Sequence, residues 1–223
     1  MPEDNQEAEA AASYWERRFA AEGMIWGGAP SPTAAHASAL FRSEGVRTVW
    51  VPGAGYGRNT KALSEEFQVS GTEISASAVE LARDWDPRSD IRQGSILEPQ
   101  EGEREVDGVF CYDVIHLFLA GDRGRLARQI RRRLRPGGVL YLTCFSDEDV
   151  NCGRGEQREP GTFVYKPGKT AHFFAFGELQ ELFPGFEVME EAHITEALPG
   201  PEGLHSYRLR IWAARAGSRS AAE

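Results

Sequence analysis

From residue 46 to residue 145 the chain alternates between short apolar runs and amphipathic runs. This alternation restricts the fold more than any other feature of the sequence. "VRTVWV", "VSGTEIS", "DIRQGS", "VDGVFCYDVI" and "GGVLYLTCFS" read as strands, the last announced by Pro136-Gly137-Gly138. "NTKALSEEF", "ASAVELARDW" and "DRGRLARQIRRRL" read as the helices between them, with Leu126, Ile130 and Leu134 as the buried row of the third. Strand and helix in regular alternation predict an α/β domain with a doubly wound, mostly parallel sheet.

The flanks follow other patterns. "ASYWERRFAAEGMIW" reads as a helix ending near Gly23, and "SPTAAHASALFRSEG" as a second, with Ser31 as cap, Pro32 in the first turn and Gly45 as stop. They make residues 1–45 an N-terminal helical cap on a domain spanning 46–215. Residues 1–10 and a tail at 216–223 carry charge, Ala and Ser without an apolar period and are expected to fray. Residues 146–170 read as a long loop, of a length usual for lids and binding loops. After a helix at "FGELQELF", the strands "FEVMEEAHI" and "LHSYRLRIWAA" are joined by "ALPGPEG", so the sheet is expected to end in an antiparallel hairpin.

The first strand runs into "VPGAGYGRNT", with glycines at 53, 55 and 57. A bare turn between a strand and a helix N-terminus lets backbone N–H groups and the helix dipole face a ligand. Glu73 closes the second strand, 20 residues beyond Gly53. An acid there can take both hydroxyls of an adenosine ribose. The spacing is G-x-G-x-G, whereas dinucleotide enzymes favour G-x-G-x-x-G, whose last glycine admits a pyrophosphate. Spacing and terminal hairpin together favour S-adenosylmethionine over NAD.

Composition narrows the field further. The 223 residues allow one large domain with a substantial core. A net charge of −9 argues against a nucleic-acid partner. No apolar run reaches membrane-spanning length, and the acidic start resembles neither a secretory signal nor a transit peptide. Three cysteines without CxxC spacing predict neither a disulfide framework nor a metal site, and fit a cytoplasmic protein. A monomer or homodimer acting on a small molecule is the expectation.

Over most of its length the chain resembles the class I S-adenosylmethionine-dependent methyltransferases. The resemblance rests on "VWVPGAGYG", "GTEIS", "IRQGSI", "DGVFCYDVIHLF" and "LRPGGVLYL". Pro52 stands where most members have an acid. Pro-Gly at this point, "YWERRF", "IWGGAPSP" and "GDRGR" are similar to the thiopurine and thiol methyltransferase branch, and much of the outline is shared with a tellurite-resistance-like subgroup.

The resemblance implies a seven-stranded sheet whose last strand is antiparallel, S-adenosyl-L-methionine as methyl donor and S-adenosyl-L-homocysteine as product. It implies that Gly53, Gly55 and Gly57 approach the methionine part, that Glu73 holds the ribose, that Ile74 is a further cofactor contact, and that Gly94, Ser95 and Ile96 line the adenine. Tyr112, Asp113 and Val114 would lie beneath the methionine and methyl group, with Trp15 and Trp26 covering the cofactor. Ser95 replaces the Asp of many members, so its bond to the adenine amine is not carried over.

Methyl transfer from a sulfonium needs alignment and exclusion of water more than an obligatory acid or base. His116 is the leading candidate to face the acceptor, as base or hydrogen-bond donor; the competing reading is a helix-terminal histidine satisfied by backbone. His205 and Tyr207 share one strand face by alternation and border the expected mouth. Arg123, by the thiopurine-type resemblance, and His172, in the predicted lid, are candidate substrate contacts. A solvated helix arginine and a histidine packed beside Phe173 and Phe174 are the plainer readings. Two further classes stay open: a nicotinamide-dependent oxidoreductase, which would need a third spaced glycine and a hydride-site motif, and a non-catalytic adenosine sensor.

Overall fold

The computed structural model describes residues 2–166, 168–200 and 203–218. Helix α1 (Pro2–Glu22) is followed by α2 (Pro32–Ser43), then by β1 (Thr48–Pro52), α3 (Arg58–Leu63), β2 (Gln68–Glu73), α4 (Ala76–Trp85), β3 (Asp90–Gln93) and β4 (Val106–Tyr112). A 3-10 turn (Ile115–Leu117) leads into α5 (Ala120–Arg133) and β5 (Leu134–Phe145). The chain continues through β6 (Glu156–Glu159), β7 (Thr162–Lys166), β8 (Lys169–His172), α6 (Glu178–Leu182), β9 (Phe186–Gly200) and β10 (Gly203–Ala216).

One seven-stranded sheet runs β3-β2-β1-β4-β5-β10-β9. The pairs among β1 to β5 are parallel, and β10 is antiparallel to both β5 and β9. The strand order reverses between β1 and β4, and in open α/β sheets ligands bind outside the carboxyl ends of the strands at such a switch point.

Strand alternation sorts the core into two faces. Trp50, Leu140, Leu142 and Cys144 pack with Leu126 and Ile130 of α5. Val49, Val51, Val139 and Tyr141 pack on the other face with Ala34, Ala37 and Phe41 of α2. A strand buried on both faces reads as an unbroken apolar run, as "VRTVWV" does. Burial also keeps Cys111 and Cys144 as free thiols with raised pKa, Cys111 pushed up to about 12.

Three expectations change. Residues 146–170 are not simply a loop: β6, β7 and β8 form a second, antiparallel three-stranded sheet between β5 and α6. The first helix begins at Pro2, so residues 2–10 are helical; residues 219–223 of the expected tail lie outside the described residues. Ser31 holds the N-cap position of α2, but its hydroxyl pairs with the Thr33 hydroxyl and its N–H with Asn59 Oδ1. Among the described residues no helix is long and apolar enough to cross a membrane, and no group of three or more His, Cys, Asp or Glu could hold a metal.

Candidate active site

The three glycines after β1 all have positive φ, and each meets a different neighbour. A side chain at Gly53 would collide with Val114, whose Cγ2 would lie 2.5 Å from the new Cβ. Gly57 starts α3 in the left-handed conformation and faces Asp86, Thr60 and Ile91. At Gly55 the nearest atom is Phe19 Cζ of α1, at ordinary contact distance of 3.7 Å. The loop thus rests on β4's exit below and carries an α1 ring above.

Glu73 is only 5% exposed, at the tip of β2. Its Oε2 accepts the Gly55 N–H at 2.8 Å and its Oε1 accepts the Ser75 N–H at 2.9 Å. Burial raises its pKa, and these amide bonds oppose the shift. Each carboxylate oxygen has a second lone pair, so the group can hold the loop and still take ribose hydroxyls. The carboxylate faces the loop rather than bulk water, and Ile74 beside it is exposed. This is an arrangement that fits the nucleoside end of S-adenosylmethionine.

The N-terminal helices sit directly on this loop. Glu16 of α1 accepts the Ser75 hydroxyl at 2.7 Å, the Ser77 hydroxyl at 2.6 Å and the Ser77 N–H at 3.2 Å. Those hydroxyls and that amide hold its pKa below the ordinary value. Tyr56 of the loop accepts the Trp26 N–H and donates to Gly27 O, and its ring stacks on Trp26. Trp15 completes a cluster with Phe19 and Trp26. The two predicted tryptophans are therefore brought beside the glycine loop.

At the end of β3, Gly94 lies against Gln100, whose Oε1 would be 2.6 Å from an added Cβ. The Ser95 hydroxyl accepts the Leu97 N–H, and its carbonyl accepts from Gln100 Nε2. Ser95 is thus engaged within its own turn. Ile96 packs against the α5-side core.

At the end of β4, Asp113 has φ 52, the one positive φ at a non-glycine residue among the described residues. Its N–H and Oδ1 both bond to Thr143 of β5, the Thr143 hydroxyl donating to Oδ1 at 2.7 Å. Burial is the first cause that pushes its pKa up to about 7, with the negative charge of Glu196 adding to it. Tyr112 donates its hydroxyl to Glu196 Oε1 at 2.8 Å, and Arg58 Nη2 lies 3.5 Å from the same oxygen. Glu196 is 3% exposed, and its Oε2 is buried without a hydrogen-bond partner among the described residues. Sequence reasoning missed Glu196. Its signal was strand alternation, which places it on the same face as Ala192 and Ile194.

His116 and Tyr207 sandwich Phe145. The His116 ring stacks on Phe145 at 4.0 Å between centroids, and Phe145 on Tyr207 at 5.1 Å. Tyr165 of β7 and Phe173, which follows β8, meet the same Phe145 ring. His116 is buried with Nδ1 unpartnered among the described residues, and burial lowers its pKa to about 3. It is a neutral imidazole with little basicity, which weakens its reading as the base. His205 is half-buried two residues before Tyr207 on β10, paired with Leu198 of β9.

The two expected substrate contacts have other work. Arg123 is 7% exposed and donates to Phe118 O at 2.9 Å and Glu159 Oε1 at 2.7 Å. His172 is 2% exposed, with Thr162 Oγ1 2.8 Å from Nδ1 and Glu178 Oε1 2.6 Å from Nε2. Both tie the second sheet to its neighbours, α5 and α6. Neither is a solvated arginine or a free lid histidine.

Residues 51–142 match the methyltransferase domain family. A protein of Arabidopsis thaliana named probable thiol methyltransferase 2 is 28% identical over 66% of this chain and 67% of that one. Among solved structures, the 1,6-didemethyltoxoflavin-N1-methyltransferase of Burkholderia thailandensis, with bound 1,6-didemethyltoxoflavin and S-adenosylhomocysteine, is 22% identical. It covers 96% of this chain and 91% of that one, with a TM-score of 0.69. A structure described for conversion of a disulfide bond into a thioacetal group during echinomycin biosynthesis is 18% identical and covers 95% of each chain, with a TM-score of 0.73. The matched segment holds the glycine loop, Glu73, Asp113 and the start of β5, the same stretch in which the geometry brings loop and acid together. Residues 51–142 thus carry a methyltransferase domain, and the family match, the plant relative and the solved structures together support an S-adenosylmethionine-dependent methyltransferase.

Proposed function

We propose that this methyltransferase acts on a small molecule presenting a thiol or another soft nucleophile. One observation carries the reading: the stack of His116, Phe145 and Tyr207 at the carboxyl edge of the sheet, closed over by Tyr165 and Phe173. A packed aromatic cluster at that edge suits an apolar acceptor with a polarisable reacting atom beside it. The similarity to a plant protein named as a thiol methyltransferase supports the same choice. The net charge of −9 disfavours nucleic acid, and a cytoplasmic monomer or homodimer fits the free thiols at Cys111, Cys144 and Cys152.

S-adenosylmethionine, when bound, supplies an electrophilic methyl carbon whose leaving group is a neutral thioether. Glu73 and the Gly55 turn would hold the nucleoside end, with Ile74, Gly94, Ser95 and Ile96 around the base. Trp26, on the segment that Tyr56 pins, and Trp15 of α1 beside it would cover the cofactor and keep water out. Val114, fixed against Gly53, sets the floor. Holding both reactants in line can contribute about 7–11 kcal/mol, more than one base adds.

The test is S-adenosylhomocysteine formation across matched aryl and alkyl thiols, phenols and amines. Turnover with thiols above the other classes supports the proposal. Turnover confined to phenols or amines contradicts it.

A further inference from the structure

We propose that Asp113 takes the proton released by the methyl acceptor, with Glu196, Tyr112 and Arg58 as its positioning shell. The inference rests on the acceptor reading above and adds the residue that handles its proton.

Position comes first. Asp113 stands at the end of β4, next to Val114, which packs under Gly53 of the cofactor loop. It is held by Thr143 in a left-handed backbone conformation that a non-glycine residue adopts at a cost. Such strain persists where surrounding structure over-determines it. Asp113 is half-buried, whereas Glu196 is sealed. Of the two carboxyl-bearing residues, Asp113 is therefore the more accessible to an incoming acceptor.

Charge comes second. The cluster combines two carboxyl groups, Asp113 from the β4 exit and Glu196 from β9, with one cation, Arg58 of α3. Tyr112 bridges by donating to Glu196, and its own hydroxyl stays protonated because burial raises its pKa. Cys111 and Cys144, which also feel Asp113, are buried neutral thiols. Ionising both carboxyls would exceed the compensation from Arg58 and leave Glu196 Oε2 charged without a partner. The pair therefore retains a proton more readily than an isolated carboxyl, and a base matched to neutral pH results. Asp113 is pushed up to about 7, while His116, lowered to about 3, is a much weaker acceptor.

The step balances. The acceptor's lone pair forms the bond to the methyl carbon, and the pair of the breaking C–S bond stays on sulfur as a neutral thioether. The proton on the acceptor heteroatom moves to the Asp113 carboxylate and leaves to solvent with the product.

Asp113→Asn separates this role from cofactor binding, because Asn tolerates a left-handed backbone and still accepts from Thr143. Three readouts are compared: S-adenosylhomocysteine affinity by calorimetry, single-turnover rates, and the Asp113 carboxyl titration by ¹³C NMR in the S-adenosylhomocysteine complex. The rates use benzyl mercaptan, protonated at neutral pH, and 4-nitrothiophenol, already ionised there. The expected result is affinity within about threefold of wild type and a loss of about 10²–10⁴-fold on benzyl mercaptan at pH 7. The loss should shrink to under about tenfold on the ionised thiol. The Asp113 titration should lie near neutrality and move down toward the ordinary carboxylate range in Glu196→Gln.

Equal losses on both thiols, or a collapse of S-adenosylhomocysteine affinity, would overturn the proposal and make Asp113 a cofactor ligand or a structural group. If wild type methylates neither thiol, the acceptor reading itself fails. The NMR arm then decides this inference: an Asp113 midpoint near neutrality that responds to Glu196→Gln supports it, and an ordinary, unresponsive midpoint overturns it.

Discussion

Gly55 donates its backbone N–H to Glu73 Oε2 across 2.8 Å, so the glycine loop and the tip of β2 form one hydrogen-bonded unit. The loop's shape is therefore set before any ligand arrives. Its glycines are unequal in consequence. Gly55→Ala meets only an ordinary contact with Phe19, so its cost is backbone strain, about 1–2 kcal/mol. Gly53→Ala adds a collision with Val114 and should cost about 1–3 kcal/mol more. Chemical denaturation of the two variants checks the order, and equal costs would mean that Val114 does not floor the loop.

Glu16 caps α4 from outside, through Ser75 and Ser77, and in doing so fastens α1 over the cofactor loop. Glu16→Ala should cost about 1 kcal/mol of stability, the usual worth of a helix cap. It should also speed proteolytic cleavage in the 23–31 segment. The folded pKa of Glu16 is lowered, so its contribution is present above the unfolded value near 4.5 and is lost as pH falls through the folded one. Cleavage of wild type should therefore accelerate below about pH 4.5 toward the rate of the variant.

Arg123, buried, and Glu159, half-buried, form an ion pair across α5 and the second sheet. Arg123→Met leaves Glu159 without its cation and should destabilise by about 2–4 kcal/mol. Acceptor KM should stay within about twofold at a temperature where the variant is folded. A stable variant with raised KM would return Arg123 to the substrate site.

His116 is held neutral. Its folded pKa is lowered to about 3 from an ordinary value of 6.5, so between these limits the unfolded chain binds the extra proton. Stability should rise with pH across that window. His116→Phe keeps the stack on Phe145 and removes the proton, so the loss of stability from pH 7 to pH 4 should shrink by about 2–3 kcal/mol. An unchanged pH dependence would mean that the imidazole titrates normally.

Much of this molecule was legible in advance, for local reasons. α4 spans the stretch "ASAVELARDW" that reads as a helix, and the structure adds its start signal, the Ser75 side chain accepting from Ala78 N–H. The place of Glu73 at the tip of β2, beside the glycine loop, was legible because its spacing from the glycines is a property of one βαβ unit. The second sheet was not legible: "EQRE" is almost wholly exposed and shows no alternation. With that sheet unseen, the partners of Arg123 and His172 were unseen too, since Glu159 and Thr162 lie on it or at its turn. Glu196 was overlooked because strand alternation, which puts it on the face of Ala192 and Ile194, does not by itself show that an acid there is buried. Its burial comes from Tyr112 and Arg58, distant in sequence.

The central claim is that Glu73 and the Gly55 turn grip the nucleoside end of the methyl donor. Titration calorimetry of wild type and Glu73→Ala with S-adenosylhomocysteine tests it most directly. Wild type should bind at one site per chain, and the variant should bind about 1–3 kcal/mol more weakly through lost charge-assisted hydrogen bonds. Equal affinity in the two proteins would contradict it.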